Sequence, residues 1–372
     1  MAVFDLIRTM LCKCCLYSTW LALFLCQSAT SQALNIPHLQ QPINSADARQ
    51  LMTQAKIDYS QQRPVFTLAQ LDDKHSAVSA NASASASIAV IYPNVGEPFR
   101  SIFTKIIEGI EDKAKVKVKA IPIESNVDAA ELNVQLKRYG TKVVIALGRQ
   151  GMRTAAGLDR DMTIVVGGVL TVPENESQQL TGYSFTPDPA ILFTRLKTLL
   201  PESKRVFVVY DPQHNESLMK LAREEAKSHN LELVAQPARD LASAAKIYET
   251  IFSTIDNRRD AVWLPNDTTT VEENTILPLV LKLSWNSSTP IFSSNFLHVK
   301  KGALFALYPN NVELGRTLAH SALGILAGET RKRGVAPLRE LHTAVNLRTA
   351  SRIGINISYQ QQRTFDFVFP EP

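Results

Sequence analysis

"VWLPNDTTTVEENT", residues 262–275, is an apolar run that stops at Pro265 and gives way to an acid, three threonines and a helix start. A short run without polar alternation suits a strand covered on both faces. The polar groups just past its end have two readings: a turn with a helix cap, or one wall of a ligand site.

The same unit recurs on either side. Upstream lie "RVFVVYD" (205–211), a helix over 215–229, "LELVAQ" and a helix over 241–255; downstream come a helix over 270–285 and "PIFSS". An earlier series opens with "IAVIY" (88–92). Its first helix carries Phe99, Ile102, Phe103, Ile106, Ile107 and Ile110 on one face. Then follow "VKVKAIPI", a helix near 127–138, "KVVIALG" (142–148), a helix from about 150, "MTIVVGGV" (162–169) and "TGYSF" (181–185). Two such series predict an α/β protein of two doubly wound parallel-sheet lobes.

Ligands of open parallel sheets lie beyond the carboxyl ends of the strands. With two lobes facing each other, those ends line one cleft. The loops there are "PNVGEP", "GRQGMR" (148–153), "GGVLT" (167–171), "YDPQHNES" (210–217), "NDTTT" (266–270) and "SSNF" (293–296). They supply the candidate ligand-binding residues Tyr92, Gly148, Arg149, Gln150 and Gly168 from the first series. From the second come Tyr210, Asn215, Glu216, Ser217, Asp267, Thr268, Thr269 and Asn295. Helix starts leave backbone N–H groups free and suit a carboxylate or other anion. Asp267 suits an ammonium, through a charge-assisted bond. Loop by loop, N-caps, exposed arginines at 149 and 153 and tight-turn glycines at 148 and 151 explain the same residues. Their joint placement on one edge is the stronger signal.

The length of 372 residues, 45% hydrophobic and 20% charged, leaves room for two domains. Of the net charge of +5, the first 33 residues contribute +1 (Asp5, Arg8, Lys13), leaving +4 spread along the chain. With no basic cluster carrying interleaved aromatics, nucleic acid is not an expected partner. All four cysteines (Cys12, Cys14, Cys15, Cys26) fall within the first 26 residues. There Arg8 and Lys13 precede "LYSTWLALFLC", and "QSATSQA" places Ser31 and Ala33 for cleavage. Residues 1–33 therefore read as a signal peptide, too short in its apolar core to span a membrane, and the expected location is the periplasm. Cleavage leaves no cysteine for a disulfide, a thiolate nucleophile or a metal. A lipoprotein anchor at Cys26 is the competing reading, disfavoured by the bulky Leu25 before it. Residues 34–87, with "SAVSANASASAS", read as a flexible segment and linker.

Catalytic patterns are missing: no G-x-S-x-G, no H-E-x-x-H, no Walker A loop, no G-x-G-x-x-G after the first strand. Of the seven scattered histidines, His214 is nearest the expected cleft, without an obvious acid partner. No catalytic residue, metal site or cofactor is expected, so the chain does not read as an enzyme.

"KRVFVVYDPQHNES", "AVWLPNDTTTV", "TPIFSSNFLHVKKGALFALYPNNVELGRTLAHSALGILAGE" and "AVNLRTASRIGINIS" resemble the ABC-transporter substrate-binding protein family of the type I periplasmic binding fold. The resemblance is to the group associated with aromatic amino acids and related solutes. It extends through "KVVIALGRQGMRTA" and "LTGYSFTPDPAILFTRLKTLLPESKRV", over about residues 88–358. It implies two lobes that close by hinge motion on a small polar or amino-acid-like solute, for ABC-type uptake through a membrane permease. A ligand-sensing subunit acting on a membrane receptor or signalling enzyme is the alternative; an enzyme on the same scaffold is a remote one. A monomer is expected.

The resemblance also implies boundaries: lobe 1 over 88–185 plus about 304–330, lobe 2 over 186–303 plus about 331–358, and a tail at 359–372. In that tail Phe365, Phe367 and Phe369 alternate, as for an added edge strand or a segment docking on a partner. Gly148 and Arg149 stand at the family's first-lobe glycine loop, with arginine where a small hydroxyl residue is usual. Tyr210, Asn215, Glu216 and Ser217 match the second-lobe tyrosine and the loop behind it. Asp267 matches an acid resembling an ammonium partner, Thr268 replaces the usual asparagine, and Asn295 stands where an acid is common. These departures shift the pocket towards basic.

Overall fold

In β1 (Ile88–Pro93), Ile88 and Val90 face one way and Ala89 and Ile91 the other, and all four are fully buried. A strand covered on both faces needs helices on both, and the chain supplies them. The computed structural model describes residues 87–170, 172, 174–330 and 333–370; the signal peptide read at 1–33 and nearly all of the 34–87 linker lie outside the described residues.

The first sheet runs β11–β5–β4–β3–β1–β2 and is parallel throughout. Its strands are β1, β2 (Lys119–Ile123), β3 (Val143–Leu147), β4 (Thr163–Val169), β5 (Thr181–Pro187) and β11 (Gly334–Leu338). Ile106 and Ile110 of α1 (Phe99–Ala114) pack on one face, Leu132 and Leu136 of α2 (Ala129–Arg138) on the other. Further helices are α3 (Gly148–Ala155) and α4 (Glu174–Ser177).

The second sheet runs β13–β12–β10–β9–β8–β6–β7. It holds β6 (Arg205–Tyr210), β7 (Glu232–Pro237), β8 (Asp260–Leu264), β9 (Ile291–Ser293), β10 (Phe305–Pro309), β12 (Leu341–Asn346) and β13 (Phe367–Phe369). Only the β10–β12 pairing is antiparallel. Helices α5 (Pro189–Leu199) and α6 (Pro212–Ser228) cover one face, α7 (Leu241–Thr254) and α8 (Ile276–Ser287) the other. Phe292 stacks on Trp263 at 6.4 Å and on Phe305 at 5.2 Å, each its registered cross-strand partner. Such aromatic ladders fix strand register through burial and ring contact.

The boundaries differ from those expected. Residues 305–309 belong to the second sheet, because β10 pairs with β9 and Phe305 stacks in its core. Conversely Gly334–Leu338 joins the first sheet beside β5. The expected tail provides β13, parallel to β12, so Phe367 and Phe369 lie in an edge strand, while Phe365 before it is buried in the second-lobe core. The helix expected from 270 starts at Ile276, since Glu272 accepts the N–H groups of Asn274 (2.8 Å) and Thr275 (2.6 Å) and holds a turn before it.

The chain passes between the sheets three times, after β5, after β10 and between β11 and β12. The crossings lie side by side: Asp188 N–H donates to Leu338 O (2.9 Å) and Asn310 N–H to Glu340 O (3.1 Å). Asp188 caps α5, and Asn310 caps α10 (Asn311–Leu326). After the second crossing α10 packs on the first sheet and β11 joins that sheet before the chain crosses back; helices α9 (Phe296–Lys301), α11 (Leu347–Arg352) and α12 (Tyr359–Gln362) complete the set.

Helix α10 seats against α1 through facing glycines. A Cβ on Gly315 would lie 2.0 Å from Ile106 O, and one on Gly109 would lie 1.9 Å from Val312 O. Gly315→Leu should therefore force the helices apart and cost about 2–3 kcal/mol, within the usual range for overpacking. Urea unfolding would read this as a lowered midpoint; an unchanged midpoint would mean that α10 is not held at that distance.

Candidate functional site

Carboxyl ends of strands from both sheets face a cleft of about 830 Å³. The first lobe contributes Pro93, Val95, Phe99, Ile102, Phe103, Gly148, Arg149, Gln150, Gly168, Val169, Leu170 and Phe185. Its apolar character comes largely from the first turns of α1. Phe99 is 61% exposed, whereas Ile106 and Ile110 of the same stripe are buried in the core. The stripe outruns the sheet and overhangs the cleft. Gly148 opens α3 with φ +71°, a left-handed conformation that glycine adopts without strain, and a Cβ there would press on Phe103 at 3.3 Å. Gln150 reaches back to donate to Ile123 O (2.9 Å), which ties the start of α3 to β2.

The second lobe contributes His214, Asn215, Asn266, Asp267, Thr268, Thr269, Ser294, Asn295 and Phe296, with Tyr308, Pro309 and Asn311 at the second crossing. Phe296 lies 5.0 Å from Tyr308, 5.3 Å from Phe367 and 5.4 Å from Phe369, ring centre to ring centre. The C-terminal strand thus backs the aromatic wall. Burial, with a smaller contribution from Asp366, pushes the Tyr308 hydroxyl up, and that hydroxyl has no hydrogen-bond partner.

Asp267 is 7% exposed and organises the second-lobe rim. One carboxylate oxygen accepts the Asp211 N–H (2.7 Å) and Asn215 Nδ2 (2.8 Å); the other accepts the N–H groups of Thr269 (2.9 Å) and Thr270 (3.0 Å). A carboxylate has about four lone-pair sites, so these donors fill it. The ammonium-pairing role implied by the resemblance meets a group already taken. Asp211 sits behind it, capping α6 through the Gln213 N–H (2.9 Å) and accepting Thr269 Oγ1 (3.1 Å), with His214 Nδ1 at 3.1 Å. Burial raises the Asp211 carboxyl, but the Gln213, His214 and Thr269 bonds outweigh it and hold it below the usual range.

Of the expected residues, Gly148, Arg149, Gln150, Gly168, Asn215, Asp267, Thr268, Thr269 and Asn295 come together in this cleft. Four do not line it. Tyr92 packs beneath Phe103 with ring centres 6.2 Å apart. Tyr210 is buried and donates to Glu216 Oε2 (2.9 Å), while Glu216 faces Arg223 at 3.6 Å. Ser217 lines an adjoining cavity of about 330 Å³. The lining residues not singled out from sequence include Phe99, Phe103, Phe185, Phe296 and Tyr308, the aromatic wall itself. Helical spacing identified the α1 stripe; that its first turns run past the strand ends and line the cleft is visible only in the structure. Among the described residues, no group of three or more His, Cys, Asp or Glu side chains could hold a metal ion.

Two α/β lobes, three crossings and a cleft at the strand ends define a type I periplasmic binding fold. The sequence profile of the ABC transporter substrate binding protein family matches residues 87–362, so the chain belongs to that family. Membership makes it a solute-binding protein rather than an enzyme, with a small molecule held between its lobes, and implies a periplasmic location. No curated protein matches the chain. Among solved structures, a ligand-free, open substrate-binding protein with adhesive properties from Clostridium difficile is 17% identical, with a TM-score of 0.57, covering 76% of this chain and 98% of its own. An ABC domain from Streptococcus pneumoniae in complex with L-tryptophan is 18% identical, with a TM-score of 0.51, covering 76% of this chain and 99% of its own. At those identities the likeness concerns the fold.

Two outcomes follow from the bonds around the cleft. Asp267→Ala strips the partner from four donors and should lower stability by roughly 2–4 kcal/mol, given the usual cost of unsatisfied buried groups. Wild-type stability in the variant would mean that these bonds are not maintained in solution. His298 lies beneath Asn295 and Phe296 with its Nδ1 2.7 Å from Ser293 Oγ, and burial pushes its pKa down from 6.5 to about 4. The unfolded chain therefore binds this proton first: the stabilisation is full above pH 6.5 and is lost as pH falls towards 4. The loss amounts to up to ~3 kcal/mol at about 1.4 kcal/mol per pH unit. Denaturation of His298→Gln between those limits should show a correspondingly shallower pH dependence; parallel curves for variant and wild type would exclude the effect.

Proposed function

We propose that the cleft captures a solute with a ring-sized apolar body and a compact polar head, and that closure of the lobes seals it. The supporting observation is the arrangement of the wall: Phe99, Phe103 and Phe185 from one lobe, Phe296 and Tyr308 from the other, with Asn266, Thr268 and Asn295 grouped at the rim. Ligand sites commonly combine an apolar lining with few placed polar groups. The Streptococcus pneumoniae relative was solved with L-tryptophan, a solute of this size and shape, and amino-acid-like solutes are the first class to try. The solute passes to the membrane permease of an ABC transporter, and the protein acts as a monomer. Residues 1–33, read as an export signal, fit that role. The contact set assigned to the solute is Gly148, Arg149, Gln150, Gly168, Thr268, Thr269 and Asn295 with the aromatic wall; Asp267 and Asn215 hold the rim.

Thermal shift tests the reading directly, because a solute bound only by the folded state stabilises it by about 2.7 kcal/mol at a hundred times its dissociation constant. L-tryptophan, L-phenylalanine and indole-3-propionate should raise the melting temperature, whereas glucose and glycine should not. Phe103→Ala should weaken ring-bearing solutes by about 1.5–3 kcal/mol, the value of one buried apolar side chain. Shifts from glucose or glycine alone would refute the apolar-body assignment.

A further inference from the structure

A second cavity, of about 270 Å³, lies at the other end of the second lobe from the cleft. Gly302 on its lining precedes β10, and Asn346 ends the antiparallel β12, whereas the cleft meets β10 at Tyr308 and Pro309. The cavity therefore opens at the amino ends of the parallel strands. Its walls are the last turns of α8 and α9 together with α11. Trp285, Lys300, Lys301, Arg348 and Arg352 line it, and no Asp or Glu does.

Most of the positive charge there has no negative counterpart. Lys301 does pair with Glu273, at 3.2 Å. Lys300 and Arg348 are exposed and have no carboxylate partner among the described residues. Arg352 meets neutral groups: it donates to Ser288 Oγ (3.1 Å) and Trp285 O (3.4 Å), and its guanidinium carbon lies 5.3 Å from the centre of a Trp285 ring. Those bonds use two of its five N–H donors and hold the fork in place. Cations at helix C-termini ordinarily offset the macrodipole, and α8, α9 and α11 all end at this cavity. That role does not consume the charge. Three termini carry roughly −1.5 in total, at about −0.5 each, against the three cations Lys300, Arg348 and Arg352. More than one positive charge is left facing the cavity. The donors come from three helices around the space, so a tetrahedral dianion can engage them together, while a planar carboxylate fits a single fork.

We infer that the base of the second lobe is an anion site for a phosphate monoester, carried by a free ester or by a lipid headgroup, with Lys300, Arg348 and Arg352 as its cations. The site is separate from the solute cleft and does not depend on what the cleft binds. Glycerol 3-phosphate titrated by calorimetry into the full protein at low ionic strength should bind one to one, with a dissociation constant of about 1 mM or tighter. Acetate should bind at least tenfold more weakly, on the scale of one charge-assisted hydrogen bond. The double variant Lys300→Gln, Arg348→Gln should lose tenfold or more in affinity for the ester. Both side chains are exposed, so its melting temperature should equal that of the wild type.

Flotation with phosphatidylcholine vesicles containing phosphatidic acid separates the two sources. Binding of glycerol 3-phosphate without vesicle capture assigns a free ester; vesicle capture that the double variant loses assigns a lipid headgroup. The inference is overturned if neither ligand binds, if acetate matches the ester, or if the double variant binds ester and vesicles as the wild type does.

Discussion

One carboxylate joins the pieces of the second lobe that meet the cleft. Asp267 follows β8, and its oxygens collect a backbone N–H at the end of β6, a side-chain amide in the first turn of α6, and two N–H groups of its own loop. Thr270, wholly buried, adds a hydroxyl bond to Val209 O at 3.0 Å. Strand ends in parallel sheets carry unpaired backbone groups, and burying them near a ligand site requires partners. The second-lobe wall is therefore fixed before a solute arrives, and recognition falls to side chains outside this knot.

The crossings give that wall something to move against. Each passage between lobes is a single stretch of backbone, and the three run side by side, Asp188 bonded to Leu338 and Asn310 to Glu340. Helix capping by Asp188 and Asn310 starts a rigid element immediately after two of the crossings. Bending at such junctions leaves both sheets intact, which is the usual basis of domain closure about a ligand. The aromatic wall is split between the lobes, so closing brings its halves together and raises the apolar area hidden from water.

Much of the fold was legible in the sequence because buried parallel strands announce themselves. "IAVIY", "KVVIALG", "RVFVVYD" and "AVWLP" each mark a strand, and the loops after them do collect at one cleft. Lobe boundaries were less legible. Residues 305–309 are apolar enough for either sheet, and stacking of Phe305 on Phe292, a contact between distant segments, decides. The C-terminal strand depends likewise on an edge offered by β12. At the site, the loops could be found by position, but the use of each polar group could not. Tyr210 and Glu216 satisfy each other, and Asp267 is filled, because of bonds that bridge up to 56 residues of sequence. The phenylalanines of α1 read as core since spacing alone does not tell where a helix passes the end of its sheet.

A crystal structure of the protein with indole-3-propionate bound tests the central claim most directly. The account predicts the ring between Phe103 and Phe296, the polar head towards the Thr268–Asn295 rim, and Asp267 still bonded to Asp211, Asn215, Thr269 and Thr270. An Asp267 carboxylate released from those partners, or a ligand seated away from the aromatic wall, would contradict it.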